Sequence, residues 1–329
     1  MTNNIQKIQI NNRSYIWDGN KDDFSTFRIE EDNPVPTPNY FTKYFKLSEY
    51  NIDALLNNYI YAAHPKEFND PFDCYSRLID PSAITVEEIE NVEKRLNIKK
   101  DRDCILNGKL KKLIEILYYL LFEGLGIISL TDSKNENPSL WANYTENHKG
   151  FSTTYKIEAL KKIAIGPFKV DYIENLIKLK YKSEIFNALV LWLICTKSKY
   201  WSNEEEWRFI GIGKDKMYVP YEHLNKEKEI LKNNRKLDLP IHSVTEVKLG
   251  FRFFDHENIS ENNLNEKVVN LNNENDKNYK IKLLNHVKTN KIPLSLIHLS
   301  DDEFKFKSMK LDYDFIKETN TFKWKLNKC

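Results

Sequence analysis

The segment WSNEEEWRFIGI, residues 201–212, limits the fold more than any other stretch of the chain. Successive side chains of an extended strand point to opposite faces, so Glu204, Glu206 and Arg208 share one face and Glu205, Trp207 and Phe209 the other. Trp207 and Phe209 require a core, so a sheet holding this strand is packed on that side. The other side carries two carboxylates and a guanidinium in a row. Such a row is either a solvated face with an internal ion pair or part of a site. In a site, neighbouring carboxylates raise one another's pKa and suit acid–base work.

The remaining elements are short and of mixed type. YFTKYFKLSEYNIDALLNNYIYAAHP predicts a strand, a helix over about 48–57 and a second strand. ITVEEIENVEKRL predicts an amphipathic helix with Thr85 and Glu88 as a capping box, and a second helix follows over about 109–123. GIISL is a buried strand. Asn137 and Pro138 open a helix that ends before Gly150. Strand FSTTYKI, helix EALKKIA, strand FKVDY and a helix through EIFNALVLWLICTK come next, then strands EWRFIGI, MYVPY and SVTEVKLGF. The sum is an α+β class: one mixed domain with a central, largely antiparallel sheet flanked by helices. Residues 1–38, ending in NPVPTPN, read as an extended N-terminal arm and 39–255 as the core domain. Residues 256–329 read as a C-terminal extension packed on the core, with a surface helix over 256–280 and a terminal strand pair over 294–326.

Of the 329 residues, 41% are hydrophobic and 13% aromatic, ample for a packed core. Fifty basic residues against 48 acidic ones leave a net charge of +2, which excludes a protein whose main task is to coat nucleic acid. The four cysteines lie far apart without zinc spacing, so no metal is expected and a reducing cytoplasm is the expected setting. The start of the chain lacks an apolar core of signal-peptide length, and LIEILYYLLFEGLGIISL is broken by Glu115, Glu123 and two glycines, so no membrane association is expected. Walker, GxGxxG, GxSxG and HExxH motifs do not occur.

Two further stretches carry candidate chemistry. FNDPFDC, residues 68–74, sets Asn69, Asp70 and Asp73 among Phe68, Pro71 and Phe72, which reads as a loop pinned by its rings. Its carboxylates either brace neighbouring backbone or face a ligand. In SLWANYTENHKGF, Trp141, Tyr144 and His148 fall on one helical face, where two rings could stack on a flat ligand and the imidazole could titrate. The competing reading makes the two rings core and His148 a capping residue.

Taken in order, YFTKYF, FNDPFDC, GIISLT, LWANYTENHKGF, VDY, WSNEEEWR and VKLG resemble the bacterial family called domain of unknown function 2971, over roughly residues 39–251. The chain also resembles, more loosely, the ADP-ribosyltransferase superfamily. The Glu204/Glu206 spacing matches its catalytic pair, and FSTT, with Thr153, matches its hydroxyl run; Lys43 and Tyr44 stand where its first-strand residue would be. That resemblance implies NAD as substrate. Glu206 would contact the ribose 2′-hydroxyl, Glu204 would handle the acceptor, and Trp141 or Tyr144 would stack on nicotinamide. His148 would be a further catalytic residue, with Asn69, Asp70, Asp73, Trp201 and Arg208 completing the binding set. It further implies a protein or nucleic-acid acceptor, a toxin or phage-defence setting and a partner from a neighbouring gene. Two alternatives stand beside it. One is a metal-dependent nuclease or phosphodiesterase using Asp70, Asp73 and Glu206. The other is a non-catalytic module that binds a nucleotide or a partner.

Overall fold

The computed structural model describes residues 5–18, 26–75, 78–80, 85, 87, 125–134, 136–180, 185–212, 235–264, 266–303 and 305–326. Among these, one mixed sheet of 11 strands dominates. From one edge to the other it runs Ile259–Glu261, Lys267–Asn270, Thr321–Leu326, Phe306–Ile316, Leu294–Leu299, Val244–Leu249, Phe151–Lys156, Tyr40–Phe45, Leu125–Asp132, Glu206–Ile212 and Ala164–Lys169. Every neighbouring pair is antiparallel except Val244–Leu249 with Leu294–Leu299, which is parallel. The chain is therefore α+β, with a largely antiparallel central sheet flanked by helices.

One face of the sheet is apolar over most of its width. Phe41, Ile128, Leu130, Trp207 and Phe209 form one core with Ile60 and Leu237. Phe41 meets Trp207 and Phe209 edge to face, with ring centroids 5.9 and 5.3 Å away. Further along, Phe151, Val247, Leu249, Phe315, Phe322 and Trp324 pack under helix Lys277–Thr289 through Leu283, Leu284 and Val287. The third core lies around helix Phe186–Ile194, whose residues from Ala188 to Ile194 are all buried. A helix apolar on every side needs cover on every side. Strands Ile5–Ile10 and Arg13–Asp18 supply part of that cover, and Ile127 and Ile210 of the large sheet supply more.

Local signals place the covering pieces. The Ser48 hydroxyl accepts from the Asn51 amide at 3.4 Å and starts helix Glu49–Leu56. Asn137 accepts from the Ser139 amide at 2.8 Å, with Pro138 in the first turn, and starts Pro138–Tyr144. Gly150 and Gly250 hold the chain after this helix tightly, since a Cβ on either would come within about 2.0–2.1 Å of a backbone oxygen, of Phe45 or of His148.

Three expectations are corrected. The described residues of 5–31 are no extended arm but a three-stranded antiparallel sheet, Ile5–Ile10, Arg13–Asp18 and Arg28–Glu31. Its polar composition concealed the burial of Ile8, Ile10 and every residue from Arg13 to Trp17; among the described residues of this region, 32–37 run exposed. Residues 256–280 hold strands Ile259–Glu261 and Lys267–Asn270 before the helix begins at Lys277, and the tail adds three strands instead of two. Both belong to the main sheet, so the C-terminal region completes the core instead of lying on it. The predicted helices over 84–96 and 109–123 and strand MYVPY lie outside the described residues, apart from Thr85 and Glu87. Among the described residues no helix is long and apolar enough to cross a membrane.

Truncation after residue 255 removes Leu283, Phe315, Phe322 and Trp324 from a shared core and bares the Val244–Leu249 edge. The truncated chain is expected to lose cooperative thermal unfolding and to aggregate. A cooperative transition near that of the parent would show that the C-terminal strands are dispensable.

Candidate functional site

The site begins with strand register. Residues directly opposite one another in neighbouring strands share a face. Glu206 lies opposite Thr131, Thr131 opposite Thr42, Thr42 opposite Thr154 and Thr154 opposite Glu246. Two residues along each strand, Arg208 lies opposite Ser129, Tyr44 opposite Ser152, and Ser152 opposite Lys248, which faces Ser295. Two adjacent rows of polar side chains thus cross five strands on one face, a width of ~19 Å at ~4.8 Å per strand. Most of this band is buried: Thr42, Thr131, Ser152, Thr154, Glu206, Arg208, Lys248 and Ser295 all lie out of solvent. A covered sheet face is normally apolar, so a buried polar band is the informative exception.

Helix Pro138–Tyr144 and the 3₁₀ turn Lys199–Glu204 cover the band. The Asn137 amide group donates to the Asn203 carbonyl and ties the two segments together. Beneath them, at the Glu206 end, lies a network of five buried charges. Arg208 Nε donates to Glu206 Oε1 at 2.7 Å. Its two terminal nitrogens grip Asp73 at 2.8 and 2.6 Å, and reach Glu206 Oε2 at 3.1 Å and the Ile194 carbonyl at 2.6 Å. All five guanidinium N–H groups are thereby used. Ile194 ends helix Phe186–Ile194, where the helix dipole favours a cation. Phe68 lies against the guanidinium, 5.4 Å from ring centroid to Cζ. Lys197 Nζ donates to Glu204 Oε2 at 2.6 Å and Glu206 Oε2 at 3.1 Å, with Asp73 3.7 Å away. The Tyr144 hydroxyl donates to Glu204 Oε1 at 2.7 Å, and the Glu206 amide donates to the Tyr172 hydroxyl at 2.9 Å.

The two glutamates are driven apart electrostatically. Burial alone would raise Glu206, but Arg208 and Lys197 outweigh it and hold its pKa down at about 2. Burial raises Glu204, the Glu206 charge adds to the rise, and Lys197 and Tyr144 offset only part of it. Lys197 is pushed up despite its burial because Glu206, Asp73 and Glu204 surround it. Tyr144 is raised by burial and by Glu204.

The structure gathers Asp73, Tyr144, Trp201, Glu204, Glu206 and Arg208 of the predicted set. Trp201 joins through Lys197, whose Nζ lies 5.1 Å from the ring centroid. Glu204 reaches the network differently from expected. It closes the 3₁₀ turn instead of sitting on the strand, and Glu205 in the left-handed region (φ 47°) turns the chain so that both glutamates meet Lys197.

Other predicted residues lie elsewhere. Asp70 braces its own loop by accepting from the Phe72 amide at 2.9 Å, Asn69 is exposed, and Phe72 is exposed where an anchor was expected. Lys43 and Thr153 fall on the opposite face, because each follows or precedes a band residue by one position. Lys43 Nζ donates to the Ser129 carbonyl at 3.2 Å, and burial draws its pKa down to about 8. Thr153 donates to the Tyr155 hydroxyl at 2.6 Å. Trp141 is fully buried, edge-on to Tyr44 at 5.1 Å, and its indole N–H donates to Glu136. His148 packs between Phe251 and Phe306, with ring centroids 4.8 and 5.3 Å away. Among the described residues no group of three or more His, Cys, Asp and Glu side chains is placed to hold a metal ion.

Lys197, Tyr172, Thr131 and the Glu136–Lys248 pair belong to the band although the sequence marked none of them as a site residue. Lys197 sits in CTKSKYW, where nothing distinguishes a buried lysine from a solvated one. No protein-family profile, curated protein or solved structure matches the chain.

Arg208→Met would leave Asp73, Glu206 and Glu204 buried with Lys197 as the one cation in contact with them among the described residues, and is expected to cost ~3–5 kcal/mol in chemical denaturation. Arg208→Lys should recover little, since an ammonium cannot make the forked contacts. For Glu206 the folded pKa is depressed, so its contribution is present above the unfolded value of 4.5 and is lost as pH falls towards about 2. Stability measured between these limits should fall in the parent and fall less steeply in Glu206→Gln.

Proposed function

We propose that the Glu204–Glu206 end of the band is an active site that cleaves the N-glycosidic bond between nicotinamide and ribose in NAD. ADP-ribose would pass to a protein or nucleic-acid acceptor, or to water. The observation that carries this reading is the pair of glutamates, two residues apart, held by one lysine and driven to opposite pKa directions. Pairs of carboxyls whose environments separate their pKa values mark acid and base roles. Breaking such a bond passes through an oxocarbenium-like state that a nearby carboxylate stabilises.

In this proposal the labour is divided differently from the superfamily pattern. Both Glu206 oxygens are engaged by Arg208 and Lys197, so Glu206 holds the network ionised and orients Lys197. Glu204, held by Lys197 and Tyr144 without the Arg208 clamp and next to solvent-exposed Ser202 and Asn203, is the carboxyl that meets the ribose and exchanges a proton. Tyr200, 95% exposed, and half-buried Trp201 offer the rings for stacking, in place of buried Trp141. A cytoplasmic effector restrained by a neighbouring gene product fits the resemblance to domain of unknown function 2971, and belongs to the same proposal. A metal-dependent phosphodiesterase would need Asp70 beside Asp73 and Glu206. Asp70 is turned to its own loop and the other two are taken by Arg208, so no observation favours that second reading.

The test is nicotinamide release from NAD by the parent, Glu204→Gln and Tyr144→Phe. The parent should release nicotinamide, Glu204→Gln should lose at least about a hundredfold in rate, in the range expected for removing an acid–base group. Tyr144→Phe should lose less. Binding of NAD without release would support a non-catalytic module instead, and neither binding nor release would overturn the nucleotide reading.

A further inference from the structure

The opposite end of the band has its own chemistry. Lys248 Nζ donates to Glu136 Oε1, and Glu246 Oε2 lies 3.8 Å from it. Ser295 donates to Glu246 Oε1 at 2.6 Å, and the Trp141 indole donates to Glu136 Oε2 at 3.4 Å. Two carboxylates against one ammonium leave this end one negative charge in excess. Side-chain exposure grows from 8% at Lys248 through 16% at Glu136 to 29% at Glu246, so a ligand would reach this end from the Glu246 side.

Ser152 sits between Tyr44 and Lys248 in register, on the same face, with 0% of its surface exposed. Its hydroxyl has no hydrogen-bond partner. An unpaired buried hydroxyl is costly, and a fold avoids one unless something else meets it. The set therefore presents carboxylate acceptors and one hydroxyl free to donate, with negative charge in excess. A phosphate is disfavoured there by both carboxylates. A neutral vicinal diol fits: its O–H groups donate to Glu136 and Glu246, and one of its oxygens accepts from Ser152. Carboxylate recognition of a ribose diol is a general solution to the same problem.

We propose that Glu136, Glu246, Lys248 and Ser152 form a second binding site that takes the 2′,3′-diol of a ribose. The inference stands on this end of the band alone and does not require turnover at Glu204.

Calorimetric titration with adenosine and with 2′,3′-dideoxyadenosine tests it, on the parent, Ser152→Ala and Glu246→Gln. Adenosine should bind the parent and the dideoxy compound should bind at least about tenfold more weakly. Ser152→Ala should weaken adenosine about fivefold, the equivalent of one ordinary hydrogen bond, while raising the melting temperature by removing an unpaired buried hydroxyl. Glu246→Gln, at a partly exposed side chain, should also weaken adenosine with the fold intact. Absence of adenosine binding to the parent, equal binding of the dideoxy compound, or unchanged affinity in both variants would each overturn the proposal. None of these results bears on nicotinamide release, so the two readings fail separately.

Discussion

The buried guanidinium of Arg208 organises one side of this protein. It lies under the sheet-covering layer with no solvent contact, and a bare charge there would be prohibitive. Five donated hydrogen bonds remove that problem by recruiting three separate elements: Asp73 from the FNDPFDC loop, the C-terminal carbonyl of the apolar helix, and Glu206 on the same strand. Each partner is thereby fixed in place. The loop cannot swing, the helix end cannot drift, and Glu206 cannot turn away. Lys197 and Glu204 then add to a charge pattern already set. The arrangement is costly to build and more costly to half-build, since removing either sign leaves the other stranded.

This cost explains why the polar band is a candidate for function and not an accident of packing. The same face is apolar one step along the strands, where Ile127 and Ile210 meet the buried helix. Apolar residues at Ser129, Thr131, Thr42 and Thr154 would have continued that core at lower cost. Hydroxyls there have to be satisfied one by one, as Thr42 and Thr154 satisfy each other at 3.0 Å and Thr131 donates to the Glu204 carbonyl at 3.2 Å. At Ser152 the accounting is left open.

Much of the fold was legible because it rests on alternation. The strands around Phe41, Ile128, Phe151 and Trp207 show two-residue periods, and Asn137–Pro138 and Ser48 announce helix starts in ways that hold in space. The N-terminal sheet was not legible because IQKIQI buries only Ile8 and Ile10, and RSYIWD, buried from Arg13 to Trp17, carries Arg13 and Ser14 among its buried residues. The site was half legible. Glu204, Glu206 and Arg208 announced themselves by spacing, and Asp73 by its aromatic neighbours. The band itself was invisible, because Thr42, Thr131 and Thr154 become a row only through register, and register between distant segments is not written in either segment alone. Lys43 and Thr153 show the same point in reverse: a shift of one position moves a side chain through the sheet.

The strand order carries a consequence for how the protein comes into being. The floor of the band is laid side by side from Val244–Leu249, Phe151–Lys156, Tyr40–Phe45, Leu125–Asp132 and Glu206–Ile212, and no two sheet neighbours among them follow one another in the chain. Closing it means closing several long loops, the slow step in folding sheets of this kind. On the ribosome, Tyr40–Phe45 must wait for a partner, and the floor is complete only after Leu249 has emerged. Until Glu206–Ile212 pairs with Leu125–Asp132, a nascent chain carries the members of the charge network as separate side chains. The band as a whole is therefore withheld until Val244–Leu249 has joined the sheet.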